Sequence, residues 1–300
     1  MGICYPGKYQ ILATGGAIGD ALFFFASGFM LFRGGNLRFD NFMKRRISRI
    51  YPTVLIVAIV GAIFFGKNDD IVSIILSGGG WFVSCIMVYY AVIWFVKKYF
   101  KERLALVWAA TALFILAWFY FFYDRGEIIS IYGGYWSKWC IFFIFMLQGA
   151  VMGMTPDKYT YNKWVPLKLI ACVALWYSFF ILQNRLPIII DIQWLSLLPL
   201  LGVTYYLYKL SCASFFNKLY NRKYIGQLIF VLGSLCLECY LLQSFFFTDK
   251  LNFLFPMNIP LIMLFILLIS YGVNFSATAL RNTFKDGHYQ WKTYFLRKPE

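Results

Sequence analysis

At 300 residues, with 61% of them hydrophobic and only 14% charged, the chain carries more apolar surface than a water-soluble domain of this length can bury. The formal charge of +15 does not point to nucleic acid, because lysine and arginine fall between apolar runs instead of along one face. Seven cysteines, an odd number lying mostly inside apolar runs, argue against a disulfide framework.

The segment Met1–Gln10 lacks the basic start and small-residue cleavage site of a secretory signal peptide. From there, apolar stretches near bilayer length predict spans at Ile11–Phe32, Tyr51–Gly66, Gly80–Val96, Leu104–Tyr123, Tyr135–Met154, Trp164–Leu182, Ile188–Tyr208, Ile225–Phe247 and Ile259–Leu280. The expectation is an all-α, polytopic transmembrane bundle of about nine spans, forming one domain over residues 1–300. Tyr51–Gly66 is the shortest span and needs help from its flanks, and Pro52 opens it where a missing N–H costs nothing. Trp118, Tyr120 and Tyr123, and then Tyr135, Trp136 and Trp139, sit where headgroups would meet the rings.

The loops test this division independently, since basic residues should gather on one side. Lys8, Lys67, Arg125, Lys138, Arg185 and Lys250 belong to one set of alternate segments, and every other lysine and arginine belongs to the other set. The richer set starts with Arg33, Arg38, Lys44, Arg45, Arg46 and Arg49 and ends with Arg281, Lys285, Lys292, Arg297 and Lys298. This places the N-terminus outside and the tail after Leu280 in the cytoplasm.

Asp20 and Glu238 fall well inside spans, each at a cost of about 2.5–3.5 kcal/mol on insertion scales. Either carboxylate serves a polar site between helices or is a hydrogen-bonded structural group, and the residues weigh these readings evenly. The run from Asn41 to Pro52, if helical, sets Arg46 and Arg49 on one face with Arg45 one turn from Arg49. Paired guanidinium groups suit phosphate, but basic residues alone also make a topology anchor on anionic headgroups. Ser27-Gly28 makes a small step on a bulky helix, and helix packing is the preferred reading over a ligand path. Cys236 and Cys239 read as packing residues, no metal site is expected, and His288, the single histidine, reads as a solvated tail residue.

Phe23-Phe24-Phe25-Ala26-Ser27-Gly28-Phe29, followed by Lys44-Arg45-Arg46-Ile47-Ser48-Arg49-Ile50-Tyr51-Pro52, resembles the acyltransferase 3 family of membrane acyltransferases. Trp81-Phe82 with Tyr89 and Tyr90 is similar to that family's aromatic signature, and Gly233 to Gln243 resembles its penultimate-helix motif. The resemblance implies about ten helices that move an acyl group, usually acetyl, from cytoplasmic acyl-CoA to a hydroxyl of a cell-envelope carbohydrate. It implies a bacterial plasma-membrane location, lipid as surrounding partner and no bound cofactor, with acyl-CoA as the donor substrate. Arg45, Arg46 and Arg49 would then bind the CoA phosphates, and Asp20, Ser27, Gly28, Trp81, Tyr89, Glu238 and Gln243 would line the acyl path or its polar surroundings. The family's first helix carries a histidine base, and this sequence begins just after where that helix would end. The resulting expectation is a reading frame that starts one helix late, which puts activity as encoded in question. Two other classes remain as rivals: a non-enzymatic carrier or flippase of an envelope glycan or lipid, and, with less support from the short external segments, a glycan polymerase.

Overall fold

The computed structural model of the chain describes residues 4–67, 70–78, 80–122, 131–132, 135–183, 185–186, 188–283 and 294–295. Among these residues every regular element is helical, as lipid requires of segments that must satisfy their own N–H and C=O groups. A 3-10 stretch, Gly7–Gly15, precedes α1 (Gly16–Arg33), α2 (Phe39–Phe65), α3 (Ile71–Ser77), α4 (Trp81–Tyr99), α5 (Leu104–Phe122) and α6 (Tyr135–Met154). Then follow α7 (Val165–Gln183), α8 (Ile188–Asp191), α9 (Leu197–Ser211), α10 (Ser214–Asn221), α11 (Lys223–Ser234), α12 (Cys236–Phe246) and α13 (Asn258–Thr283). Large apolar side chains such as Ile63, Leu113 and Leu268 are about two-thirds exposed on these helices, which only an apolar solvent accommodates.

Among the described residues, seven helices are long and apolar enough to cross a membrane, or eight if the bent pair α11 and α12 makes one span. The sequence reading counted nine, and the difference lies at Ile188–Tyr208. That stretch divides into α8, a 3-10 turn Gln193–Ser196 and α9, which has 15 residues. α9 alone makes about 22 Å of helix at 1.5 Å per residue, and the 3-10 turn that leads straight into it supplies most of the remaining distance across a hydrocarbon layer of about 30 Å. The break has local causes. Pro199 in the first turn of α9 has no N–H to give a preceding turn, and buried Gln193 and Ser196 form hydrogen bonds with Gln183, Ile131 and Tyr132 instead.

The shortest predicted span is corrected by the structure. α2 runs through the basic segment without interruption and is 27 residues long, so Tyr51 and Pro52 lie inside the helix and do not open it. Pro52 leaves the Ser48 carbonyl without its usual helical donor, a loss that membrane helices tolerate. Gly66, at φ +63°, ends the helix, and the Lys67 N–H turns back to the Gly61 carbonyl at 3.2 Å.

The chain divides into two compact units. One comprises Thr14–Asn36 and Ala91–Asn217. Its centre is the contact of α1 with α6, where the two backbones touch. A Cβ on Gly28 would collide with the Met146 carbonyl, one on Gly149 with the Phe25 carbonyl, and one on Gly153 with Phe29. Gly149 and Gly153 form a G-x-x-x-G step, the pattern that lets membrane helices approach closely. Beside them the rings of Phe24 and Phe142 stack at 5.7 Å. At the end of α1, Lys97 Nζ donates to the carbonyls of Leu31, Gly34 and Gly35 at 2.8, 2.6 and 3.3 Å, which satisfies oxygens the helix leaves open. Between α5 and α6, burial pushes the Tyr132 phenol up from its ordinary range.

The other unit comprises Met1–Ala13, Leu37–Tyr90 and Lys218–Glu300. Here α13 packs on α2 and α12, with Val57, Leu242 and Val273 buried together at the junction. α11 and α12 meet at a 65° bend. Gly233 and Ser234 explain it: glycine-serine pairs kink helices, and Ser234 Oγ donates back to the Phe230 carbonyl at 2.7 Å. The bend leaves Glu238 in the first turn of α12, where the exposed amide ends of a helix favour a carboxylate.

Candidate functional site

The basic segment is helical, so the geometry expected of its arginines holds: Arg46 and Arg49 lie three residues apart on α2, and Arg45 four residues before Arg49. Arg45 and Arg49 are exposed, and Arg46 is half-buried. Arg46 is held by two rings. Its guanidinium carbon lies 5.3 Å from the Phe42 ring centroid and 5.4 Å from that of Tyr90, and those rings meet edge to face at 6.2 Å. Contacts with ring faces orient the guanidinium plane and leave its N–H groups available to oxygen acceptors. Arg46 Nε is buried without an acceptor, and none of these arginines forms a salt bridge with a described residue. The ion pair of this helix, Arg38 with Asp40 at 3.2 Å, lies at its exposed start.

One turn beyond Arg49, α2 turns polar inside the bundle. Thr53, 2% exposed, donates through Oγ1 to Glu238 Oε1 at 3.2 Å. Asn274 of α13 donates through Nδ2 to the same oxygen at 2.8 Å. Glu238 is 3% exposed and its second oxygen, Oε2, is buried with no hydrogen-bond partner among the described residues. A single carboxyl thus ties α2, α12 and α13 together and keeps one acceptor unused. Such a group in a buried setting is costly, and the two donors on Oε1 offset part of that cost.

The motifs singled out in the sequence fall partly together. Phe82, which follows Trp81, packs its ring 4.3 Å from that of Tyr240, so the aromatic signature and the Gly233–Gln243 segment meet directly. Tyr89 is buried on α4 beside Tyr90, Trp81 is half-buried at the helix start, and Gln243 is half-buried on α12. Asp20, Ser27 and Gly28 belong to α1 in the other unit. Asp20 is half-buried with Lys138 of α6 as a charged neighbour. Gly28 is occupied by the contact with α6, the packing role preferred from the sequence. His288 lies outside the described residues.

Sequence reasoning missed Thr53, Asn274 and Thr278, and it treated Arg281 only as part of a basic tail. A signal was present. Ser270, Asn274, Thr278 and Arg281 recur at helical spacing along one face of α13, in a helix whose other residues are mostly apolar.

Residues 5–275 match a family model described as an acyltransferase domain. No curated protein and no solved structure matches the chain.

Proposed function

The chain belongs to the acyltransferase 3 family, and on that premise we propose that it transfers an acetyl group from acyl-CoA to a hydroxyl of a cell-envelope carbohydrate. The observation that carries the donor is Arg46, oriented between Phe42 and Tyr90 with no salt bridge to a described residue and with Arg45 and Arg49 on the same helix. Guanidinium groups present planar donor forks that match phosphate oxygens, and CoA is rich in phosphate. The acceptor oxygen attacks the thioester carbonyl carbon, the C–S bond breaks, and CoA leaves as a thiolate that takes up the proton released by the hydroxyl.

The sorting of basic residues supports placing the arginine end of α2 and the end of α13 in the cytoplasm, where acyl-CoA is made, and the family resemblance is the ground for a bacterial plasma membrane. Cysteine-accessibility labelling near Arg45 and near Arg222 tests the arrangement, and both segments are expected to react from the same side.

The chemistry is tested with the purified chain in lipid nanodiscs, radiolabelled acetyl-CoA and envelope polysaccharide. The expected result is label in the carbohydrate and an equal amount of free CoA. R46A is expected to raise KM for acetyl-CoA about tenfold or more, the value of a charge-assisted hydrogen bond. Binding of glycan with no release of CoA would instead identify a carrier.

A further inference from the structure

We propose that Arg281 is a further phosphate-binding residue of the site around Arg46 and Arg49, and that Glu238 positions it. The identity of the phosphate as that of a CoA nucleotide rests on the reading above. The placement of Arg281 does not.

Two polar stripes face each other where α2 packs on α13. On α2 the stripe runs Arg46, Arg49, Thr53, and on α13 it runs Arg281, Thr278, Asn274. Glu238 joins them at their inner end, through Thr53 on one side and Asn274 on the other. Seven residues along α13 from Asn274, and so on the same face, the half-buried Arg281 donates through Nη2 to Thr278 Oγ1 at 3.1 Å. That hydroxyl fixes one branch of the guanidinium. From the Glu238 junction Arg49 lies one turn before Thr53 on α2 and Arg281 two turns after Asn274 on α13, so the two arginines share one end of the packed pair, and Arg281 is electrostatically coupled to both Arg49 and Glu238.

Two guanidinium groups brought near each other from separate helices, with one carboxyl behind them, leave an excess of positive charge at that end of the unit. An anion with several oxygens resolves the repulsion, and guanidinium groups arriving from two directions can bind it from both sides. A basic residue that merely anchored a helix end in the headgroups would lie outward, would tolerate lysine and would need no carboxyl beneath it. The carboxyl's role is to hold Arg281 against Arg49 until the anion arrives. It touches no substrate.

The probe is adenosine 3′,5′-bisphosphate, the phosphate-bearing nucleotide fragment of CoA, titrated against the full chain in phosphatidylcholine nanodiscs. R281Q and R281K are each expected to weaken binding about tenfold, since lysine keeps the charge and loses the planar fork. E238Q is expected to weaken it several-fold in the parent and to add nothing in an R281Q background, because the carboxyl acts through Arg281. The R281K arm keeps the charge and so reads out even if E238Q does not fold. Parent-like affinity in both R281Q and R281K overturns the proposal while leaving the acyl-CoA reading intact. Failure of the parent chain to bind the nucleotide overturns both. Loss of co-purifying phosphatidylglycerol in R281Q, with nucleotide affinity unchanged, assigns Arg281 to a lipid headgroup and overturns the nucleotide assignment.

Discussion

Where α1 meets α6, glycines bring backbone against backbone; where α2 meets α12 and α13, one carboxyl gathers hydroxyl and amide donors from two helices. In lipid there is no hydrophobic drive to press helices together, so each contact needs a specific attraction. Close packing gives a rigid pair and leaves nothing over for chemistry. The Glu238 cluster leaves an oxygen without a partner among the described residues and continues outward into Arg49 and Arg46, which form no salt bridge with a described residue. The difference separates a contact that builds the protein from one that stores binding capacity. It also explains why the small step at Ser27-Gly28, although part of a family motif, reads first as structure.

The comparison can be broken most severely at Gly149. A side chain there meets the Phe25 backbone, which cannot rotate away, so G149V is expected to lower stability by about 3 kcal/mol or more, seen as early thermal aggregation in nanodiscs. G272A is the control: open space surrounds that glycine on α13, and the change should be neutral or stabilise by up to about 1 kcal/mol. If both glycines respond alike, close approach is not what holds α1 to α6.

Next in size is Glu238. E238A removes the acceptor shared by Thr53 and Asn274 and is expected to cost about 1–3 kcal/mol for each donor left buried, whereas E238Q keeps an acceptor oxygen and costs less. Thermal unfolding of the two variants side by side measures the gap. A stabilising E238A would show that the carboxyl is retained at the expense of stability.

R46A is expected to weaken acyl-CoA binding far more than it lowers stability, since losing its ring contacts costs about 1 kcal/mol and no salt bridge to a described residue is lost. The smallest effect is expected for T53V, about 0.6 kcal/mol, which is the usual value of one hydrogen bond between membrane helices. A far larger loss there would make the Glu238 cluster cooperative, so that its bonds do not simply add.

Much of this was legible in the residues. Runs of apolar side chains and the sorting of lysine and arginine each depend on transfer of single residues between water and lipid, so they can be summed along the chain without knowing which helices touch. That is why the solvent, the helical class and most span positions came from the sequence, and why the motifs around Arg46 and Glu238 carried the family. The same sums could not see Pro199 and Gln193 breaking Ile188–Tyr208, because a span and a broken segment have similar hydropathy.

Contacts between helices depend on rotation and register, which no transfer sum contains. Only the tertiary structure set Thr53 and Asn274 on one oxygen of Glu238, fixed Arg281 on the Thr278 hydroxyl at the same end as Arg49 and seated Gly28 on the Met146 carbonyl. A buried polar group is costly until its partner is supplied from another helix, and that partner is fixed by how the helices pack.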